Sequence, residues 1–382
     1  MGPEREIQVI RVTGRVLLTI VVALFCLKAG AQTGTFVEWA VPTPNALPLH
    51  VVPASSSLFF FTESNKDRVA ELNTSTNLFT EWLLPPGAVP HGIVLPSSDT
   101  IAFCAYSGNY IGVFDTSTSE LTAWEVPTAD AGPIHLDISG STFFFTEALG
   151  NKIAWLDPGT SQVTEWLIPT PASTPRGIAV GLNGEVFVAE MGTNKIAMLN
   201  TTTNNITEWT LPSVRQVEHL RYYQGVVYFG DLGSSVIGAL IPSTNTVIYG
   251  PTPTSDSANA EVFISSGLIN FTERNGNKIG LFNPSLQQGL SKKAVPVVTP
   301  VVPAVSAVTS TPYTLTPDPT TVPPPTTTNV AGVKTGGFTE WTIPTAASGP
   351  LGISVIGNTT VFTEYNADKI ATLTVANGAG KH

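Results

Sequence analysis

The chain has 382 residues, of which 12% are charged and 42% hydrophobic, and its formal net charge is −10. This composition supplies enough apolar material for a large core, and the acidic balance without a basic patch excludes nucleic acid as an expected partner. Gly and Pro are abundant, with 33 and 31 residues, which indicates many turns.

The first 31 residues have the pattern of a secretory signal peptide. Arg5, Arg11 and Arg15 are followed by an apolar run at residues 16–27, and the segment ends in the small residues AGA at 29–31, which suit a cleavage site. The apolar run is short for a bilayer span, although an uncleaved membrane anchor is the alternative. We therefore expect a secreted or periplasmic cell-envelope protein without a stable membrane span after cleavage.

Cleavage would leave Cys104 as the one remaining cysteine. A single cysteine forms no internal disulfide, so the exported fold must be held by its own core. Cys104 lies within the apolar run IAFCAY, which favours a buried thiol over a catalytic one.

A repeat of about 42 residues covers the rest of the chain. The word TEW, or a variant of it, places an aromatic residue at positions 39, 82, 124, 166, 209, 249 and 341. Two further words, FTE and NKI, recur in step with it. Each unit contains four short runs rich in β-branched and aromatic residues and bounded by Gly, Pro, Asn or Ser, which is typical of strands. The sequence therefore predicts an all-β fold, a seven-bladed β-propeller of four-stranded blades.

The two ends of the chain are predicted to share the last blade. With strands named A to D from the axis outward, the chain begins with a lone strand D (TFVEWAV) and ends with a strand A, B and C (LGISVI, TTVFTE, KIATLTV). The N-terminal strand should complete that blade and close the ring. The predicted organisation is a signal peptide at 1–31, blades 1 to 6 with the closing strand at 32–284, a Pro/Thr-rich insertion loop at 285–336, and the end of blade 6, blade 7 and the C-terminal tail at 337–382.

Residues 285–336 interrupt the repeat between strands C and D of blade 6. Pro, Thr and Val dominate this segment, which favours an extended chain with little capacity to form a core. We expect a protruding loop that can be replaced by a short Gly/Ser linker with little change in melting temperature. Wall contact, O-glycosylation and a tolerated insertion are alternative explanations for its presence.

The beginning of strand A concentrates the histidines of the chain. Strand A begins and strand B ends on the same face of the ring, so these positions meet near one mouth of the central channel. Four of the five histidines lie there, together with an arginine and two glutamates: His50, His91, His135, His219, Arg176, Glu218 and Glu261. Such a ring suits pH-dependent binding of an anion or a divalent metal, or acid–base catalysis. Polar residues tolerated at a solvated channel end are the alternative.

Six of the seven FTE words end in an acidic residue, among them Glu273. Recurrence in nearly every blade favours a structural role, with hydrogen bonds to the backbone or to the Asn-Lys pair of the B–C turn. One or two of these acids could still bind a cation.

The blade words resemble those of the streptogramin B (virginiamycin B) lyase family. ITEWTLP, TPRGIAV and VFVAEMGTNKIAML carry the resemblance, which covers residues 36–284 and 337–375. It implies the propeller fold and an Mg²⁺-dependent elimination that opens a cyclic depsipeptide, with a histidine as base in the motif Glu-Pro-His-Gly-Ile. His91 lies in the one Pro-His-Gly-Ile of this chain, whereas Val89 stands in place of the family's metal-binding glutamate.

The resemblance and the mouth residues together predict a ligand-binding propeller and leave its activity open. The catalytic candidates are His91 and His219, the ligand-binding candidates His50, His135, Arg176 and Glu218, and the metal-binding candidates Glu261 and Glu273, with Mg²⁺ as the expected ion. The expected ligand is a small molecule or cyclic peptide, and the protein is expected to be a monomer. A C–O lyase, a non-catalytic binding or scaffold propeller of the cell envelope, and a metal-dependent lactonase-type hydrolase are the candidate functions.

Overall fold

The structure, a computed structural model, describes residues 33–211, 216–284, 290–335 and 338–375, so the predicted signal peptide lies outside the described residues. Within these ranges the chain forms strands and turns, with two 3-10 helices at Ser64–Lys66 and Pro242–Thr244 and no α-helix. The described residues include no helix that is long and apolar enough to cross a membrane.

Seven antiparallel sheets form the blades, and the strands A of successive blades contact one another in a closed circle around the axis. The seven-bladed propeller is thus confirmed. Each blade contains the four predicted strands. In the order A to D they are Pro48–Pro53, Leu58–Glu63, Arg68–Asn73 and Leu78–Leu83 in blade 1; Pro90–Ser97, Thr100–Ala105, Tyr110–Asp115 and Glu120–Glu125 in blade 2; Pro133–Ser139, Thr142–Glu147, Lys152–Asp157 and Gln162–Leu167 in blade 3; Pro175–Val180, Glu185–Glu190, Lys195–Asn200 and Asn205–Thr210 in blade 4; Val217–Tyr223, Val226–Asp231, Val236–Ile241 and Thr246–Pro251 in blade 5; Asn259–Ser265, Leu268–Glu273, Lys278–Phe282 and Phe338–Thr342 in blade 6; and Pro350–Ile356, Thr359–Glu364, Lys369–Val375 and Thr33–Ala40 in blade 7.

Blade 7 closes the ring as the sequence predicts. Its outer strand, Thr33–Ala40, pairs antiparallel with Lys369–Val375, and Trp39 lies opposite Ile370. The hydrophobic core lies between neighbouring blades, where for example Phe187 of blade 4 and Phe229 of blade 5 belong to one buried cluster. Cys104 is buried, as expected.

The Pro/Thr-rich segment is not a protruding loop, and that expectation is wrong. From blade 6 the segment passes around the whole ring against the direction of the blades and adds a fifth, outermost strand E to every sheet. We call residues 290–335 the belt. Its strands are Leu290–Lys293 on blade 5, Pro296–Pro300 on blade 4, Ala304–Ala307 on blade 3, Ser310–Thr314 on blade 2, Pro317–Thr321 on blade 1, Thr326–Ala331 on blade 7 and Val333–Thr335 on blade 6.

The composition of the belt follows from its position at the sheet edges. Proline lacks a backbone N–H and is tolerated at a sheet edge, where it blocks pairing with a further strand. An apolar residue recurs every seventh position, and each donates its backbone N–H to the carbonyl of the turn between strands C and D of one blade. These residues are Ala294, Val301, Val308, Leu315 and Val322, and all five pack against the buried clusters.

The repeated acids form carboxyl pairs inside the blades. In blade 3 the buried Glu147 of the FTE word lies beside Glu165 of the TEW word, and Lys152 Nζ donates to Glu165 Oε2 at 2.8 Å. Burial, and then the charge of Glu165, raise the pKa of Glu147 to about 8. Five blades have this arrangement, and the pKa of the strand B glutamate is raised to about 8 or 9 in each: Glu63, Glu147, Glu190, Glu273 and Glu364.

These pairs correct the expected partners of the FTE acids, because strand D, rather than the B–C turn, supplies the main neighbour. Asp231 of blade 5 does accept hydrogen bonds from turn residues, among them the backbone N–H of Gly233 at 2.9 Å. Blade 2 has no acid here. Ala105, opposite Pro90, occupies the place that Glu63 has opposite Pro48. The FTE word of blade 2 therefore ends at Ala105, and Tyr106 is the first residue after it.

Candidate functional site at the channel mouth

A β-bulge at the start of every strand A creates two layers of side chains around the axis. In blade 1 the register of strands A and B shifts between Pro48 and Val51, so Leu49 and His50 have no partner in the ladder. Bulges often occur next to functional sites, where they redirect side chains. The first bulge positions form the mouth layer, and the second form the histidine layer. The mouth layer is Leu49, His91, Ile134, Arg176, Glu218, Ala260 and Leu351; the histidine layer is His50, Gly92, His135, Gly177, His219, Glu261 and Gly352.

In four of the seven blades the threonine of the FTE word fixes the bulge. In blade 3 the backbone N–H of His135 donates to Thr146 Oγ1, and that hydroxyl donates to the carbonyl oxygen of Arg176 in blade 4 at 2.6 Å. Thr62, Thr272 and Thr363 make the equivalent pair of hydrogen bonds. A repeated residue therefore positions the unrepeated side chains of the two layers.

Glycines make room for the large side chains of the histidine layer. A Cβ atom on Gly177 would lie 2.7 Å from the Cα atom of His219, and one on Gly352 would lie 2.8 Å from the Cα atom of His50. The strands approach too closely there for a side chain. Gly92, Gly177 and Gly352 thus leave four side chains, three imidazoles and one carboxylate, in the layer.

The four side chains of the histidine layer contact one another. Glu261 Oε1 lies 2.5 Å from His50 Nδ1, and the Nε2 atoms of His50 and His135 are 3.0 Å apart. Glu261 Oε2 accepts a hydrogen bond from the backbone N–H of Ile353 at 2.7 Å. Arg221 Nη1 lies 2.9 Å from His219 Nε2, and this nitrogen is 3.8 Å from Glu261 Oε1.

The electrostatics of this layer favour neutral imidazoles at His135 and His219 beside an ionised carboxylate. Burial, followed by the neighbouring positive groups, lowers the pKa of His219 to about 3 and that of His135 well below its usual value. Burial opposes ionisation of Glu261 as well, but His50 and His219 outweigh it and lower its pKa to about 2. The carboxylate is therefore the negative centre of the layer at neutral pH.

The histidine layer separates two cavities of the channel. The mouth cavity, of about 230 Å³, is lined by five residues of the mouth layer and by Arg274 and Tyr365 from the B–C turns; the five are Leu49, His91, Arg176, Glu218 and Leu351. The inner cavity, of about 310 Å³, is lined by the more distant part of the strands A, including Val94, Ile138 and Phe263. His50, His135 and Glu261 border both cavities.

The mouth cavity contains a donor and an acceptor that no described residue satisfies. Arg176 Nη1 donates to Glu218 Oε1 at 2.9 Å. Arg176 Nε and Glu218 Oε2 are buried and have no hydrogen-bond partner among the described residues. Burial raises the pKa of Glu218, although Arg176 opposes this effect. Unsatisfied buried polar atoms are costly, so this pair is suited to an external group that offers both an acceptor and a donor.

His91 lines the same cavity, 5.2 Å from the Tyr106 ring by centroid distance. Burial, together with His50 and Arg176, lowers the pKa of His91 to about 3. The imidazole is neutral at physiological pH and accepts a proton only weakly. No carboxylate of the FTE type follows strand B in this blade, where the chain continues as Ala105-Tyr106.

The residues around His91 do not fit Mg²⁺. This ion prefers several oxygen ligands, and Val89 offers no side-chain oxygen. Of the two carboxylates that line the cavity, Glu218 is paired with Arg176, and Glu261 belongs to the histidine layer rather than to the mouth layer that contains His91. The expected Mg²⁺ has no ligand set at this position.

The structure brings together most of the residues that the sequence singled out. His50, His91, His135, Arg176, Glu218 and Glu261 line the mouth cavity, and His219 belongs to the histidine layer. Glu273 lies apart from them, inside blade 6, where burial and Glu340 raise its pKa. Arg274, Tyr365 and Arg221 were not among the residues predicted from the sequence. Arg274 and Tyr365 each directly follow an FTE word, and because strand B ends on the face of the ring where strand A begins, both could have been predicted to lie at the mouth.

A sequence model described as the virginiamycin B lyase family matches residues 27–265. A selenomethionine-substituted virginiamycin B lyase from Staphylococcus aureus has 19% identity and a TM-score of 0.70, with 90% of this chain and 100% of that chain covered. A streptogramin B lyase structure gives 18% and 0.71, with 90% and 98% covered. A catalytically inactive histidine-to-alanine variant of the S. aureus enzyme with quinupristin gives 19% and 0.70, with 90% and 100% covered. At these identities the likeness concerns the fold. No curated protein matches the chain significantly.

Proposed function

The chain belongs to the virginiamycin B lyase family, and on that premise we propose that it is an exported propeller that binds a peptide-like small molecule at the mouth of its channel. The observation that carries the proposal is the buried pair of Arg176 Nε and Glu218 Oε2, which have no partner among the described residues. An amide group offers one acceptor and one donor side by side, so it would satisfy both atoms.

The size of the mouth cavity limits how much of the ligand it can hold. Sites that enclose a whole drug-sized molecule have volumes of roughly 300–1,000 Å³, whereas this cavity has about 230 Å³. One group of the ligand would therefore enter the cavity, and the rest would lie across the mouth. Leu49, Leu351 and the Tyr365 ring, which packs against Arg274, supply apolar contact area beside the polar pair. A cyclic depsipeptide with a projecting side chain fits this arrangement.

A C–O lyase is the second candidate, and the position of His91 favours it. In such an elimination His91 would take a proton from the carbon next to the one that bears the ester oxygen. The C–O bond would break, the electron pair would leave with the carboxylate, and a C=C bond would form, so that the ring opens without change of mass. A base with a pKa near 3 provides little driving force for this transfer, and the ligands for Mg²⁺ are missing. Ligand binding is therefore the preferred function, and the lyase is the alternative.

Binding and turnover can be tested together with quinupristin as the probe. We expect saturable binding in calorimetry, with one ligand per chain, and an unchanged ligand after incubation with or without Mg²⁺. Mass spectrometry distinguishes the alternatives, because elimination gives a linear product of equal mass and a lactonase-type hydrolysis adds one water. Loss of the product in His91→Ala would then establish the lyase. An absence of binding would contradict the proposed site.

Export is proposed from the sequence of residues 1–31. Expression of the full chain with its own N-terminus, followed by fractionation and N-terminal sequencing, tests it. We expect mature protein in the periplasm or medium that begins at Gln32. Protein retained in the cytoplasm with an intact N-terminus would contradict export.

A further inference from the structure

The histidine layer gathers three metal-ligating side chains at the boundary between the two cavities. His50, His135 and Glu261 each offer one ligand atom, and the three atoms lie within 4.8 Å of one another. We propose that these residues bind a transition-metal ion, with Zn²⁺ as the ion they suit best. The site lies beneath the proposed peptide site and can be tested without any peptide.

The donor types select the ion. Two imidazole nitrogens and one carboxylate oxygen are a common ligand set for zinc, whereas Mg²⁺ and Ca²⁺ prefer oxygen alone. The carboxylate of Glu261 would supply negative charge to a buried divalent cation.

The spacing of the two imidazoles is close to that of a coordinated ion. Two nitrogen ligands of a tetrahedral Zn²⁺ lie about 3.3 Å apart, given Zn–N bonds of about 2.05 Å, and the two Nε2 atoms here are 3.0 Å apart. Without an ion, one of these nitrogens donates a proton to the other. With an ion between them, His135 would carry its proton on Nδ1, a buried atom that has no hydrogen-bond partner among the described residues.

Glu261 has a carboxylate oxygen that is available to an ion. Its Oε1 atom lies 2.5 Å from His50 Nδ1 but is buried and has no hydrogen-bond partner among the described residues. A bound cation would satisfy this oxygen. The backbone N–H of Ile353 holds the other carboxylate oxygen, so Glu261 is fixed before an ion arrives.

The neighbouring charges define the limits of the site. Arg221 occupies Nε2 of His219, which removes His219 from the ligand set and places one positive charge near the ion. The positive charge of Arg176 is paired with Glu218. The positions of the ion that the protein does not fill would face the two cavities, where water or a ligand oxygen could bind.

The test is a zinc titration of tag-free, chelator-treated full-length protein against a chromogenic competitor. We expect one Zn²⁺ per chain with a dissociation constant in the micromolar range or below, and no competition by excess Mg²⁺. His50→Ala and His135→Ala should each weaken binding about 100-fold, and Glu261→Gln about 10-fold or more. His91→Ala, outside the histidine layer, should retain the wild-type zinc affinity. Circular dichroism confirms the folding of each variant.

A second measurement does not depend on the variants. Co²⁺ added to the wild-type protein should give the intense visible absorption bands of a four-coordinate site, and Zn²⁺ should remove them. Absence of zinc binding by the wild-type protein, or equal affinity in all variants, would overturn the proposal. Zinc binding without quinupristin binding would uphold this site and contradict the peptide site, and the reverse result would do the opposite.

Discussion

Strands B and D of the blades repeat their residues far more strictly than the start of strand A does. Five blades place a glutamate pair at the same positions of strands B and D. The histidine layer, by contrast, contains three histidines, one glutamate and three glycines in its seven places. Away from the axis every blade packs against its neighbours in the same way, so the same residues recur at equivalent positions. At the axis all seven blades face one shared space, so a functional side chain is needed only once.

The two regions also respond to pH in opposite directions. The blade glutamates have a raised pKa when folded, so the stability they contribute is complete below about pH 4.5 and declines as the pH rises towards about 8. The axial imidazoles have a lowered pKa. The unfolded chain binds their protons more readily, so stability is lost as the pH falls below about 6.5. Blades and axis together favour a stability maximum in mildly acidic solution.

Removal of the belt should have the largest effect of any change to the outer part of the ring. Replacing residues 290–335 by a short Gly/Ser linker would expose the edge of strand D in all seven blades. It would also expose the apolar surfaces against which every seventh belt residue packs. We expect a fall in melting temperature of more than about 10 °C, together with aggregation through the open edges. Differential scanning calorimetry and light scattering measure both. An unchanged melting temperature would mean that the belt adds nothing to the stability of the blades.

Truncation of a single buried belt residue should also destabilise the fold, but by less than removal of the whole belt. Leu315 is 7% exposed and packs between blades 1 and 2, so Leu315→Ala should lower the free energy of unfolding by about 2–4 kcal/mol. Val302 is 91% exposed, and Val302→Ala is the matched control with an expected change near zero. Urea denaturation of both variants gives the comparison. Equal, negligible effects would show that the belt is only loosely attached.

Removal of one acid of a pair should change how the free energy of unfolding depends on pH rather than simply lower it. Glu147→Gln removes a buried carboxyl that titrates near pH 8. Between about pH 5 and pH 8 the wild-type protein should lose stability relative to this variant by on the order of 1.4 kcal/mol per pH unit. Glu120→Gln, at an exposed position of strand D, serves as control. Parallel stability curves for wild type and Glu147→Gln would refute the raised pKa.

The smallest expected effect is the change in protonation of the axial histidines with pH. Burial lowers the pKa of His91 and His219 to about 3, so their imidazole resonances should not shift between about pH 5 and pH 8. NMR titration, with assignments from His→Gln variants, measures this directly. It also bears on the pH-dependent binding that the sequence suggested, since these two residues would not change charge in that range. A midpoint near 6.5 for either residue would show that water reaches it freely.

The sequence was sufficient for the blades because their signals are local. The TEW and FTE words, the lone first strand D and the missing last strand D determined the strands and the ring closure. The mouth residues could be predicted because strand A begins and strand B ends on the same face of the ring. Thr62 and its equivalents, which fix the bulges, were visible as a repeated letter but not as hydrogen bonds between blades.

The belt and the contacts within the histidine layer could not be predicted from local sequence patterns, because both depend on residues that are distant in sequence. Six of the seven belt strands pair with a strand distant in sequence, for example Pro317–Thr321 with Leu78–Leu83, and proline masks the strand pattern. The seven-residue period of apolar residues from Ala294 to Val322 was the available signal. At the axis, the contact between His50 and His135 depends on the meeting of non-adjacent blades across a glycine, which no local pattern encodes.

The most direct test of the account is the quinupristin affinity of one axial and one blade variant that are matched in size. Arg176→Met removes the unpaired Nε donor of the mouth cavity, and Glu147→Gln changes a buried blade residue that does not line it. Isothermal titration calorimetry at neutral pH should show binding weakened at least about 10-fold in Arg176→Met, which corresponds to about 1.4 kcal/mol, and unchanged in Glu147→Gln. Equal affinities in wild type and both variants, or a loss confined to Glu147→Gln, would contradict the assignment of binding to the axis and of stability to the blades.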